Sequence, residues 1–184
     1  LAVRHSTIFL KMETYLIASD NWIQMEEQPQ IICEQFERFL HCDARYLAPV
    51  LFAEYSCLTQ FVYEEIDLVV SNQQRQNDAR YTQEQFISFW GWEDKLAAKV
   101  YNLSGGWRKV LGISLLLNRR SDSVLFVDFV SHLSSKTITF ILKRMQELHV
   151  QHAGFVEYDG EFLLLHLNNV KRLKKSGARL IEVS

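Results

Sequence analysis

Glycine and proline are scarce in this 184-residue chain, and their distribution is as telling as their number. Seven glycines and two prolines are present, and the first glycine is Gly91. A glycine-rich loop that wraps phosphates in backbone N–H groups and ends in Lys-Ser or Lys-Thr is therefore excluded from the first 90 residues. The three cysteines, Cys33, Cys42 and Cys57, are an odd set without paired short spacing. That argues against a disulfide framework and against a zinc site, and predicts reduced thiols in an intracellular compartment. Long apolar runs are missing too: Ile113 to Leu117 and Val124 to Val127 fall far short of the roughly 20 residues that a membrane-spanning helix needs. Neither sign of charge dominates. Twenty Lys and Arg against 22 Asp and Glu give a formal −2, so the chain as a whole has no field to attract nucleic acid or anionic lipid.

What is present suits an ordinary globular protein: 48% hydrophobic and 23% charged residues, enough to bury one sizeable core. A single domain over 1–184 is expected. From Val3 to Ala18 the β-branched and aromatic residues predict strands. The run Ile31, Ile32, Gln35, Phe36, Phe39, Leu40 has helical spacing, with Pro29 just ahead of it. A strand-like segment with Pro49 inside it follows over Tyr46 to Phe52. Residues 53–70 are again apolar at helical intervals, whereas Ser71 to Arg80 is polar and aperiodic and predicts an exposed loop. Helical spacing returns over Gln83 to Leu96 and over Val110 to Leu117.

Ser123 to Val130, dense in Val, Leu and Phe, predicts a central strand covered on both faces. Ser134-Ser135 predicts the cap of a helix whose apolar positions are Ile138, Ile141, Leu142, Met145 and Leu148. Ala153 to Tyr158 closes a strand-helix-strand unit, and Phe162 to Leu167 and Ala178 to Val183 predict two further strands around a basic segment.

Within this order lie five short segments. Trp90-Gly91-Trp92-Glu93-Asp94-Lys95-Leu96 resembles the L-G-L-x-D-K approach to the signature loop of ABC-type ATPases. Leu103-Ser104-Gly105-Gly106 resembles the signature itself. Val124-Leu125-Phe126-Val127-Asp128 resembles a Walker B strand, Ser131-His132-Leu133-Ser134 the N-H-L-D loop, and Phe155-Val156-Glu157-Tyr158-Asp159 the V-T-H-D switch segment. The chain thus resembles the second half of an ABC nucleotide-binding domain over about residues 83–183, and the first 82 only by order of elements. The fold that this resemblance implies is α/β: a truncated ABC-ATPase-like (P-loop NTPase-like) sheet with flanking helices and a small helical subdomain over roughly 53–102.

The departures from the family pattern fall on chemistry. The glutamate that follows the Walker B aspartate and polarises water is replaced by Phe129, which neither accepts a proton nor orients water. Tyr158 stands at the switch histidine and Ser134 at the D-loop aspartate. Where the first strand ends, Ser19-Asp20-Asn21-Trp22-Ile23-Gln24-Met25-Glu26-Glu27 supplies carboxylates instead of a lysine and a hydroxyl, and these repel a triphosphate. No Q-loop glutamine stands near Tyr46-Leu47-Ala48-Pro49. The resemblance therefore implies a pseudo-ATPase with no intrinsic cofactor. In the family the signature loop touches phosphate held by a partner's P-loop, so Ser104, Gly105 and Gly106 are the expected contacts to ATP and magnesium shared with a partner subunit. The plainer reading of Gly105-Gly106 is a turn that precedes a helix. The implied partners are other protein subunits, including an active ABC ATPase and a membrane protein docking on the helical part before Leu103. The implied location is an organelle such as the mitochondrion, or the cytoplasmic face of a membrane reached through a partner.

Other residues offer less. Asp128 has magnesium-capable chemistry but no second anchor. His41-Cys42-Asp43 are adjacent and so point in different directions, and His132, His149, His152 and His166 are scattered. Lys171-Arg172-Leu173-Lys174-Lys175 is the one basic cluster, and it reads as a solvated run near a chain end rather than a nucleic-acid or lipid contact. Trp90 reads as core, while Trp22, Trp92 and Trp107 suit either core or a partner surface. A different class of reading is a winged-helix nucleic-acid or protein-binding module. Ser135 to Val150 would be its recognition helix, and Asp159-Gly160 the turn of a hairpin wing. The two readings differ in pairing: parallel neighbours for 124–130 and 153–158 in the first, an isolated antiparallel hairpin over 153–167 in the second.

Overall fold

In a computed structural model of the chain, residues 12–19, 34, 38, 57–127, 129, 133–158 and 179–183 are described. Their strands are β1 (Glu13–Ser19), β2 (Ser123–Val127), β3 (His152–Tyr158) and β4 (Arg179–Val183). The helices are α1 (Val62–Arg75), α2 (Gln83–Trp90), α3 (Gly105–Leu117) and α4 (Ser135–Glu147), with short 3₁₀ turns at Glu93–Lys95 and Val100–Asn102.

The four strands form one sheet in the order β2-β3-β1-β4, with every pairing parallel. Val127 pairs with Val156 and Ser19 with Tyr158, so β1, β2 and β3 run out together at one edge. Parallel neighbours need a crossover, and α4 supplies the one from β2 to β3. This decides between the two pairings set out above. Since β3 is hydrogen-bonded on both sides, to β2 and to β1, it is not an arm of an isolated hairpin, and the winged-helix reading is overturned. The described chain is a mixed helix-and-strand arrangement around a parallel sheet.

The core follows from the periodicity of the sequence. Ile138, Ile141 and Met145 line one stripe of α4 and are fully buried, as are Leu125, Phe126, Ala153 and Phe155 of the strands. Helix α3 carries Val110, Leu111, Ile113, Leu115 and Leu117 into the same core. Its buried residues surround it, which fits an apolar helix covered on most sides. Ser134 caps α4, its Oγ accepting from the N–H of Thr137 at 3.2 Å. Gly91 ends α2 in the left-handed region at φ 71°, where a side chain would be strained.

The stretch Ser71–Arg80 is not an exposed loop. Helix α1 continues to Arg75, Gln73 is only 6% exposed, and Ala79 is buried. These polar residues face polar partners far along the chain. Gln73 Nε2 donates to the carbonyl of Leu115 at 2.8 Å, and Asn118 Nδ2 donates to Gln73 Oε1 at 2.7 Å. Asn118 Oδ1 also accepts from the N–H of Tyr81 at 3.2 Å. Burial is therefore matched by hydrogen bonding, the condition under which a polar side chain is tolerated inside. Residues 34 and 38 are helical and ion-paired at 3.6 Å. The readings of Tyr46 to Phe52 and Phe162 to Leu167 lie outside the described residues.

Candidate functional site

Helix α3 begins where the signature-like segment lies. Ser104 is its N-cap, with extended ψ of 156°, and its Oγ accepts from the N–H of Trp107 at 3.3 Å. The first residues of a helix have no intrahelical acceptor for their N–H groups. Ser104 meets the one of Trp107, and no acceptor among the described residues meets those of Gly105 and Gly106. Ser104 is exposed and the two glycines are half-buried, so this positive end of the helix dipole faces outward. Gly105 has helical backbone, and a Cβ built on it would meet nothing within 4 Å. Neither conformation nor crowding within the chain requires glycine there.

Around this helix end stand an aromatic and a cationic side chain. Trp107 is 40% exposed and meets the buried Trp92 edge to face at 5.5 Å. Lys95 Nζ lies 4.2 Å from the centroid of the Trp107 ring, a cation–π contact that holds an ammonium beside the loop. The segment Trp90 to Leu96 thus reaches the signature-like loop through Trp92 and Lys95, while Trp90 belongs to the core, as its sequence suggested. Lys95 is the lysine of the segment that resembles L-G-L-x-D-K, but nothing in the sequence marks it as the partner of Trp107.

Upstream, Glu65 is fully buried in the first turn of α1, and its Oε2 accepts from the N–H groups of Leu58 and Thr59 and from Thr59 Oγ1 at 2.8–3.0 Å. A carboxylate is favoured at a helix N-terminus, and here it also fixes the chain that enters the helix. Burial, together with the charge of Glu65 and opposed by Arg108, pushes the nearby Cys57 thiol up to about 12. It is consequently a neutral thiol at physiological pH rather than a nucleophile.

Phe129, which the resemblance sets where the catalytic glutamate would stand, is a core residue. Phe129 is 1% exposed and packs its ring 5.1 Å from Phe126 and 4.8 Å from Phe155. Ser134, which the resemblance sets at the D-loop aspartate, is engaged as the cap of α4. Tyr158 is the last residue of β3. Asp128, His132, the segments 20–27, 41–43 and 171–175, and His166 lie outside the described residues. His149 takes the left-handed conformation just past α4, at φ 57°, and His152 Nδ1 lies 3.8 Å from Glu13 Oε2 across the starts of β3 and β1. The structure brings neither histidine to the signature-like loop.

Where β2 and β3 begin lies a cleft of about 490 Å³ lined by Arg80, Arg120 and Asp122. Arg80 joins three elements there. Its Nε donates to the carbonyl of Arg119 at 2.8 Å, Nη1 to that of Leu148 at 3.0 Å, and Nη2 to that of Ser121. Arg119 meets Asp78 at 2.6 Å, and Arg120 Nε donates to the carbonyl of Ala79 at 3.0 Å. This is a clasp between the α1–α2 region and the ends of α3 and α4, and no periodic signal in the sequence marked it.

Among the described residues no group of His, Cys, Asp and Glu is arranged to hold a metal, and no helix is long and apolar enough to cross a membrane. No protein-family model matches the chain, and no curated protein matches it. Among solved structures, it is similar to a chain from an inward-facing structure described as a metal-chelate type ABC transporter, at 12% identity and a TM-score of 0.49. The match covers 78% of this chain and 61% of that one, so the present chain spans under two thirds of its neighbour's length. The chain is thus distantly similar in structure to an ABC transporter component, and a likeness of that degree assigns no chemistry.

Proposed function

We propose that this chain is a catalytically inactive ABC-ATPase-like subunit, a structural or regulatory part of a larger complex in which the amino end of α3 meets a nucleotide held by a partner. The observation that carries the reading is that helix end. A serine cap leaves the N–H groups of two half-buried glycines without an acceptor among the described residues at the positive end of a 13-residue helix, the arrangement that favours an oxyanion. The absence of any need for a glycine at 105 within the chain supports it, because a bare backbone permits close approach from outside.

Two observations support the inactive half of the proposal. The residue at the water-polarising position, Phe129, is a packed member of an aromatic trio rather than a side chain at hand for substrate. In addition, β1, β2 and β3 end together at one edge of a parallel sheet, the edge where ligands of open α/β folds sit. Each of these strands is followed in sequence by an aspartate, Asp20, Asp128 and Asp159. A finer assignment, a truncated P-loop NTPase sheet within an ABC transporter-type assembly, belongs to the same proposal.

The test is recovery of the native protein with its partners, identification of those partners by mass spectrometry, and measurement of the complex's ATP turnover with the unchanged chain and with Gly105→Asp. An added carboxylate at 105 meets open space, so the fold is kept while an anion at the helix end is repelled. A P-loop-bearing partner whose turnover falls by about tenfold or more supports the reading, by analogy with the loss of a backbone-type oxyanion donor. A partner complex indifferent to the change leaves a scaffold alone.

A further inference from the structure

We draw no further inference here: the strongest candidate, the cleft of about 490 Å³ lined by Arg80, Arg120 and Asp122 at the starts of β2 and β3, belongs to the structural clasp already described, in which each guanidinium nitrogen of Arg80 already donates to a main-chain carbonyl.

Discussion

Replacing Arg80 with methionine keeps most of its apolar stem and removes its five donors, which isolates what the guanidinium does. Three main-chain carbonyls, those of Arg119, Ser121 and Leu148, lose a donor at once. Two of them lie just past the end of α3 and one just past the end of α4, where carbonyls have no intrahelical partner and the helix dipole is negative. Hydrogen bonds to charged groups contribute about 1.5–3 kcal/mol each, but burial opposes this by disfavouring the charged form. Burial also pulls the Arg80 pKa down against the nearby Asp122, so the full sum is not realised. The net expectation is a loss of about 2–4 kcal/mol on Arg80→Met, with Arg80→Lys intermediate because one ammonium does not span three acceptors. Urea denaturation reads the midpoint and slope, and an unchanged slope shows that stability rather than compactness has altered. Arg120→Gln is the control: its side chain makes one bond, to Ala79, from an exposed position, and should cost no more than about 1 kcal/mol. A loss for Arg80→Met of under about 0.5 kcal/mol, or one equal to the control, would refute the clasp.

Asn118→Ala should cost about 2–3 kcal/mol by the same denaturation measurement, since Gln73 and the N–H of Tyr81 are left without their buried partner. Phe129→Glu should destabilise by about 3–5 kcal/mol and create no ATP turnover, because a carboxylate replaces a ring packed against Phe126 and Phe155. Turnover gained by the isolated variant would overturn the inactive reading. Cys57 should alkylate about a thousandfold more slowly than a free thiol near neutral pH, as read by mass spectrometry, because its pKa is raised from 9.0 to about 12. The folded chain then keeps a proton that the unfolded chain gives up, so Cys57 stabilises fully below pH 9.0 and loses that contribution as pH rises toward about 12; Cys57→Ala should flatten this alkaline slope.

Much of the fold could be read from periodicity because the core elements are one-faced. Ile138, Ile141 and Met145 recur at helical intervals and are all buried, and the apolar run that starts at Val124 lies in a strand whose Val124, Leu125 and Phe126 are buried on both faces. The polar stretch at 71–80 misled because its order depends on partners 39 to 68 residues away, such as Leu115 for Gln73, and Arg119 and Leu148 for Arg80. A local pattern carries no trace of such bonds, so polar and aperiodic residues read as solvated whether or not they are. The pairing of β1 between β3 and β4 is equally non-local. At the candidate site the glycine pair and its serine cap were visible because helix starts have a local signature. The approach of Lys95 to Trp107 was not, since it depends on the geometry of the intervening 3₁₀ turns.

Phe129 and Gly105 pull in opposite directions, and the contrast bears on what has been retained. An active site keeps groups that the fold alone would not choose, a water-polarising carboxylate among them, at a cost in stability. At 129 a ring joins Phe126 and Phe155, so the residue is explained by packing. At 105 packing does not require glycine, because an added Cβ meets nothing within 4 Å and alanine would be the better helix former. If the whole segment were merely a scaffold, both positions should have settled on residues that the chain's own interior favours. Only one of them has, so the proposed contact with a nucleotide held by a partner is to be tested at the amino end of α3 rather than after β2.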